Sequence, residues 1–147
     1  TVIKAADGYF YVYATESTRN VPIMKSKDLV EWTYCNTAFT NKTRPRFEPK
    51  AGIWAPDINY INGKYVLYYA MSVWGGEQTC GIGVATANSP QGPFTDHGKM
   101  FRSNEIGVQN SIDPSLLQYE GRNWTLTLPQ SVFSKPIRRN CPLIQKN

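Results

Sequence analysis

Histidine, cysteine and acidic residues are scarce in this 147-residue sequence, which holds one His, three Cys and 11 Asp or Glu. Cys35, Cys80 and Cys141 are odd in number and widely spaced, so at most one disulfide can form and no pair has metal-ligand spacing. With only His97 to add, the residues argue against a zinc site, and the thiols are expected to be free or buried. No apolar run approaches the ~18 residues of a membrane span, and no basic-plus-apolar leader opens the chain, so neither a membrane partner nor a signal peptide is expected. Charged residues are 18% of the chain against 41% hydrophobic, which excludes disorder and leaves material for a core. The net charge of +5 is unevenly placed. Lys135, Arg138, Arg139 and Lys146 lie after Pro129 with no acid among them, leaving +1 for the first 128 residues. An excess confined to one tail, with the aromatics elsewhere in strand-like runs, argues against nucleic acid as a partner.

What the chain does have is aromatics and turn formers: nine Tyr, six Phe, four Trp, 11 Gly and 10 Pro. Few stretches show a helical period, and the composition is that of short strands joined by tight turns. It also repeats itself. Asp7-Gly8-Tyr9-Phe10-Tyr11, Asn62-Gly63-Lys64-Tyr65-Val66 and Glu120-Gly121-Arg122-Asn123-Trp124 each read as a turn followed by a strand. Such pairs suit hairpins, because Gly and Asn accept positive φ cheaply. Ala55-Pro56-Asp57-Ile58 precedes the second turn, and Ile112-Asp113-Pro114-Ser115 precedes the third, which pairs Asp57 with Asp113. Ile23–Trp32 and Ile82–Phe94 fill the second half of the unit, each a strand, a polar turn and an aromatic that opens a last strand.

Four antiparallel strands at a period of roughly 50 residues describe one blade of a β-propeller, so the fold class is all-β. A β-sandwich is the alternative, but it does not require the echo. Blade one is expected over residues 1–51, blade two over 52–108 and half of blade three over 109–128, with an atypical basic tail at 129–147. The run Tyr9–Ala14 is apolar on both faces, as in a blade covered on both sides. Trp32 and Phe94 are expected in the core, and His97 in a solvated turn. About two and a half blades leave two faces bare, so either the chain continues or copies assemble; two copies of two and a half would make five.

Four motifs in order make a specific resemblance: Gly52-Ile53-Trp54-Ala55-Pro56-Asp57-Ile58, Asn62-Gly63-Lys64-Tyr65, Gly81-Ile82-Gly83-Val84-Ala85-Thr86 and Asn110-Ser111-Ile112-Asp113-Pro114. Together they resemble glycoside hydrolase family 43, most closely its arabinan-degrading members, over about Thr1 to Leu126. The resemblance implies a five-bladed β-propeller with a carbohydrate cleft on its axis and an inverting mechanism. Inverting hydrolysis needs a carboxylate to activate water and a carboxylic acid to protonate the leaving oxygen, ~6.5–9.5 Å apart. The family adds a third carboxylate that orients the acid and raises its pKa, as a neighbouring like charge does.

Asp113 matches that third carboxylate; on its own it also reads as a turn residue before Pro. The general base is implied in an Asp-Pro pair immediately before Thr1, and the general acid in a later blade, so neither falls in this sequence. Trp54 reads as a stacking platform for a furanose ring or as a core residue between blades. Asp57 reads as an axis-lining group that binds hydroxyls or as a turn cap. Asn110 reads as a sugar contact or a loop residue, and Trp74-Gly75-Gly76 as a flexible loop at the cleft edge.

No organic cofactor is implied, and the family's axial metal ion depends on a later His. The expected partner is plant polysaccharide or oligosaccharide, arabinan first and arabinoxylan second. The expected location is outside the cell. After Thr127 the likeness stops, and Pro129, Pro136 and Pro142 break the remaining chain. Asn41-Lys42-Thr43 and Asn123-Trp124-Thr125 are formal glycosylation sequons, the second expected in a strand. Three functions remain open: part of an arabinan hydrolase, a non-catalytic carbohydrate-binding half-propeller, and a self-assembling structural fragment.

Overall fold

The computed structural model describes residues 1–16 and 18–128, so the expectations for the 129–147 tail and for Cys141 lie outside the described residues. Among the described residues ten strands run in chain order: β1 (Val2–Lys4), β2 (Phe10–Tyr13), β3 (Pro22–Ser26), β4 (Thr33–Thr37), β5 (Gly52–Ile61), β6 (Lys64–Ser72), β7 (Gly81–Ala87), β8 (Thr95–Arg102), β9 (Ile112–Tyr119) and β10 (Arg122–Leu128). They form antiparallel sheets in the orders β1-β2-β3-β4, β5-β6-β7-β8 and β9-β10. The second and third sheets open with two-residue turns, Asn62-Gly63 at φ 49° and 79° and Glu120-Gly121 at φ 49° and 68°. Two consecutive positive φ values match the twist of the flanking strands. The first turn is one residue longer, with Gly8 at φ 85° and the Asp7 carboxylate accepting the Tyr9 N–H at 3.0 Å.

The sheets pack face to face. Tyr11, Tyr13, Ile23 and Phe39 from the first sheet and its following loop meet Ile53, Leu67 and Tyr69 from the second, all fully buried. Each such side chain contributes roughly 1.5–3 kcal/mol by leaving water. Tyr13 meets Phe94 edge-on at 5.9 Å, and its hydroxyl donates to the Pro90 carbonyl. Glycine makes room inside the second sheet: a Cβ at Gly83 would strike the Tyr69 ring, and one at Gly81 the Phe101 carbonyl. The Gly81–Thr86 motif is thus a packing device. The Tyr69 hydroxyl then reaches Asp96 at 2.5 Å, and burial, with that carboxylate, pushes its pKa up. Between the second and third sheets, Val66, Tyr68 and Val84 pack on Leu116, and Ala70, Ile82 and Phe101 pack on Trp54 and Ile112.

A repeated bond joins the inner strands β1, β5 and β9. The Thr1 hydroxyl accepts the Ile58 N–H at 2.8 Å, and the Asp57 carboxylate accepts the Leu116 N–H at 2.9 Å. Ile58 and Leu116 occupy non-hydrogen-bonded pairs of their own hairpins, so their N–H groups point towards the preceding sheet. Thr1 and Asp57 therefore hold the same place in successive sheets, and Ser115 is the third copy of that place.

A buried ion pair ties the loop after β2 to the loop before β5. Arg44 donates to both Glu16 carboxylate oxygens, to Asn20 Oδ1 and to the Ala51 carbonyl, while Glu16 also accepts the N–H groups of Asn20 and Ile53. Burial pushes the Glu16 pKa up, but the guanidinium and the two N–H donors outweigh it and hold the carboxyl below its ordinary 4.5.

Several expectations are corrected here. Only one face of β2 is covered, because Tyr11 and Tyr13 are buried while Phe10 and Val12 are half-exposed. Trp32 is half-buried at the surface, its indole N–H donating to the Leu29 carbonyl at 3.2 Å, because Asp28 builds an exposed turn beneath it. His97 belongs to β8, where its Nε2 meets the Thr86 hydroxyl at 2.7 Å. Cys35 and Cys80 are free thiols. Phe94 is in the core and Asn123 is in a strand, both as the sequence implies.

Replacing Arg44 by Met strands the Glu16 charge in the interior and should lower unfolding stability by about 3–5 kcal/mol, measured by denaturant titration. Because the folded Glu16 pKa lies below its unfolded value, the pair's contribution is complete above pH 4.5 and is lost as pH falls through the folded value. The thermal midpoint of the wild type should therefore drop on the acid side of pH 4.5, and Glu16→Gln should flatten that limb. Glu120 holds a left-handed conformation that Asn adopts more easily, so Glu120→Asn should stabilise the chain by roughly 0.5–1 kcal/mol.

Candidate functional site at the head of the inner strands

β5 lies against β1 on one side and β9 on the other, so the starts of the inner strands gather at one rim. The rim is built around two bulges. In β5 the register passes from Trp54 opposite Ala70 to Asp57 opposite Tyr68, so Ala55 and Pro56 share one partner residue. In β9 it passes from Ile112 opposite Leu128 to Ser115 opposite Leu126, so Asp113 and Pro114 do the same. Ala55 at φ 42° and Asp113 at φ 51° are both left-handed. A bulge of this kind re-aims the side chain it carries. The second sheet spends the position on a methyl group, and the third puts a carboxylate there. Asp113 is exposed and has no hydrogen bond or ion pair with any described residue.

This register corrects the alignment of the repeats. Pro56 matches Pro114, so the second sheet's copy of Asp113 is Ala55. Asp57 matches Ser115. Asp57 is only 8% exposed, and one of its oxygens takes both the Leu116 N–H and the Asn59 amide, at 2.9 and 2.8 Å. Its carboxylate is turned to the next strand and does not line the rim. The sequence misleads here because two Asp-Pro-like tetrapeptides align equally well on Asp or on Pro.

Trp54 is half-buried and packed against the cluster of Ala70, Ile82 and Phe101, and its ring centroid lies 5.2 Å from that of Trp74, tilted by 45°. A Cβ at Gly52 would collide with the Trp54 indole nitrogen, so the glycine two residues upstream is what lets the ring lie down. Trp74 is 92% exposed. The sequence implies an edge loop for Trp74 but carries no sign of its pairing with Trp54. Trp74 lies two residues past the end of β6, and only the pairing of β6 with β5 brings it to Trp54. The same loop reaches the third predicted residue: the Asn110 N–H donates to the Glu77 carbonyl at 2.7 Å, with Asn110 itself left-handed at φ 57°. Behind it, the Ser103 hydroxyl accepts the Ser111 N–H at 2.8 Å and meets the Cys80 thiol at 3.2 Å, anchoring the approach to Asp113. Trp54, Asn110 and Asp113 thus share the rim, and Asp57 does not. Among the described residues no three His, Cys, Asp or Glu side chains converge, so these residues do not build a metal site.

Chemically the rim offers the exposed Trp74 ring beside Trp54, the Asn110 amide and, at Asp113, a carboxylate with no partner among the described residues. Residues 1–133 match Glycosyl hydrolases family 43. The chain belongs to that family. Extracellular endo-α-(1→5)-L-arabinanase 1 of Bacillus subtilis strain 168 is 36% identical over 132 residues, covering 84% of this chain and 40% of the relative. Arabinan endo-1,5-α-L-arabinosidase A of Aspergillus niger is 30% identical over 122 residues, covering 80% and 37%. Among solved structures, native Bacillus subtilis arabinanase superposes with a TM-score of 0.73 at 33% identity, over 85% of this chain and 45% of that one. The Cellvibrio cellulosa α-L-arabinanase complexed with arabinohexaose gives 0.73 at 29% identity, over 86% and 42%. The chain spans about two-fifths of the length of these curated relatives. The family fold is the five-bladed β-propeller, and the sheets described above are two of its blades and the inner pair of strands of a third.

The Trp54–Trp74 pair gives a direct readout of the rim. Gly52→Ala should expel the Trp54 indole from its seat, abolishing the exciton couplet of the two rings in circular dichroism and weakening any sugar-dependent change in Trp fluorescence. An unchanged couplet would mean that Gly52 does not seat the ring.

Proposed function

We propose that this family 43 chain is the part of an α-1,5-arabinan hydrolase that carries a sugar-stacking platform and the acid-tuning carboxylate. The observation that carries the reading is the bulge at Asp113: an exposed carboxylate in a left-handed conformation on the same rim as Trp54 and Trp74. A furanose ring presents C–H groups that pack on an indole face, while its hydroxyls need polar neighbours such as Asn110. Asp113 then acts on a carboxylic acid held nearby. A like charge disfavours ionisation of that acid, keeping it protonated at neutral pH for transfer to the leaving oxygen. A separate carboxylate takes a proton from water on the opposite face of the sugar, and the product inverts. The base and acid are assigned outside residues 1–128.

The substrate class is taken from the relatives: the two named above are an arabinanase and an arabinan arabinosidase, and one of the similar structures holds arabinohexaose. Arabinoxylan is the second choice. The Bacillus subtilis relative is named extracellular, which supports action outside the cell. The paired indoles favour a second reading, a sugar-binding half-propeller without turnover, because stacking needs neither acid nor base.

Reducing-sugar release from linear 1,5-arabinan, with Asp113→Asn alongside, separates the two. Turnover that falls by about 100-fold or more in the variant supports the hydrolase. Quenching of Trp fluorescence by arabino-oligosaccharide without turnover supports the binding module. Neither response would overturn both.

A further inference from the structure

A cavity of about 320 Å³ opens between the loops that lead into β3 and β5 and the end of β6. It lies beside the rim: Ala51 lines it and Gly52 follows, while Met71 lines it three residues before Trp74. All of its walls come from the first two sheets and the loops between and within them, and both sheets have their four strands. Neither Trp54 nor Asp113 reaches into it.

The floor of the cavity is apolar, with Pro45, Ala51 and Met71 all buried. Its lip is cationic. Arg19, Arg46 and Lys50 are exposed, and none of them forms an ion pair among the described residues. The nearby carboxylates are already matched: Glu16 holds Arg44, and Glu48, which also lines the cavity, holds Arg102 at 2.9 Å. Three uncompensated positive charges thus share one opening, in a stretch of 128 residues whose net charge is only +1. Like charges gathered in this way repel one another unless an anion sits among them. Lys50 carries a second sign of use. Its φ of 63° is left-handed, which Gly or Asn adopts with less strain, yet the position holds a cation. Arg46 is braced, its guanidinium donating to the Asn41 carbonyl at 3.0 Å, which orients the group without cancelling its charge. A guanidinium fixed by one N–H still offers others to a carboxylate.

We infer that this cavity is a subsite for an acidic sugar, a uronosyl residue whose carboxylate meets Arg19, Arg46 and Lys50 while its C–H face lies on the apolar floor. The inference rests on the reading of the rim as a sugar site and extends the saccharide that the rim takes by one charged residue. An apolar floor beneath a charged lip suits a sugar acid better than a bare inorganic anion, which has no apolar surface to set on Met71 and Pro45. The volume lies at the small end of the ~300–1,000 Å³ of small-molecule sites, room for about one sugar ring. The preferred polymer then bears negative charge within reach of the residues stacked at Trp54.

Isothermal titration of the whole chain tests this directly. The ligands are trimers of galacturonate and of glucuronate, the same trimers with their carboxyl groups reduced to alcohols, arabinohexaose and inorganic phosphate. At least one acidic trimer should bind at least about tenfold more tightly than its reduced counterpart, and that margin should shrink as NaCl rises from about 50 to 500 mM. Arg19→Gln with Lys50→Asn should remove most of the margin, and Lys50→Arg should keep it. Asn fits the left-handed backbone and Arg19 has no ion pair to lose, so the double variant keeps the fold, which circular dichroism checks. The comparison of acidic and reduced trimers on the wild type carries the test without any variant. Arabinohexaose bound normally, with acidic trimers no tighter than reduced ones, overturns this inference and leaves the proposed function standing. Acidic trimers bound with the margin, but no arabinohexaose, supports the subsite and counts against the arabinan reading. Phosphate that binds as tightly as the acidic trimers overturns the assignment to a sugar acid. No binding of any saccharide overturns the inference.

Discussion

A side-chain oxygen at the head of one inner strand takes a backbone N–H from the next, and the position of every sheet depends on that bond. It is a directional contact between surfaces that are otherwise held by apolar packing, which has no strong preference for one sliding register over another. Thr1 and Asp57 make it with different chemistry, a hydroxyl and a carboxylate, in the same place. The bond to Leu116 fixes β9 against β5 three residues below the rim. Trp54 and Asp113 hang from those two strands, so their separation is set by a contact that touches neither of them.

Other contacts stiffen the rim. The Glu16–Arg44 pair joins the loop after β2 to the start of β5 through the Ile53 N–H and the Ala51 carbonyl. Gly52, between those two residues, leaves the space into which the Trp54 indole folds. A buried charge pair is weak evidence for net stability, but it is strict about geometry, because each lone pair and each N–H needs its partner. Here that strictness falls on the three residues that precede and seat the Trp54 ring.

The sheets were legible in the sequence because their signals are local. A turn with Gly in its last position, followed by alternating or fully apolar residues, specifies a hairpin wherever it occurs, and three such signals at a similar spacing specify a stack. The first blade, however, echoed the second only loosely, since its turn is one residue longer and its open face is half-exposed. Backbone placement was legible where it rests on chain chemistry, as for the turn at Asp113 before Pro114, and side-chain placement was illegible where it rests on pairing. Asp57 reads like Asp113 in a linear comparison, and only the cross-strand register shows that the bulge shifts it to the place of Ser115. Trp32 looks like a core residue by its position at the head of a strand, but the Asp28 turn carries it to the surface. Trp74 gained its partner through the pairing of β5 with β6, which no local pattern encodes.

The bulge at Ala55 has a consequence for how such a site can arise. Its left-handed backbone is the same as that at Asp113, yet it serves no carboxylate. The left-handed backbone therefore belongs to the repeated bulge and does not depend on the residue it carries. The second and third sheets each present one such position at the rim, and a single residue choice decides whether it is a methyl group or a carboxylate. Exchanging the residues at Ala55 and Asp113 would therefore move the carboxylate from one sheet to the other without redesigning the backbone of either.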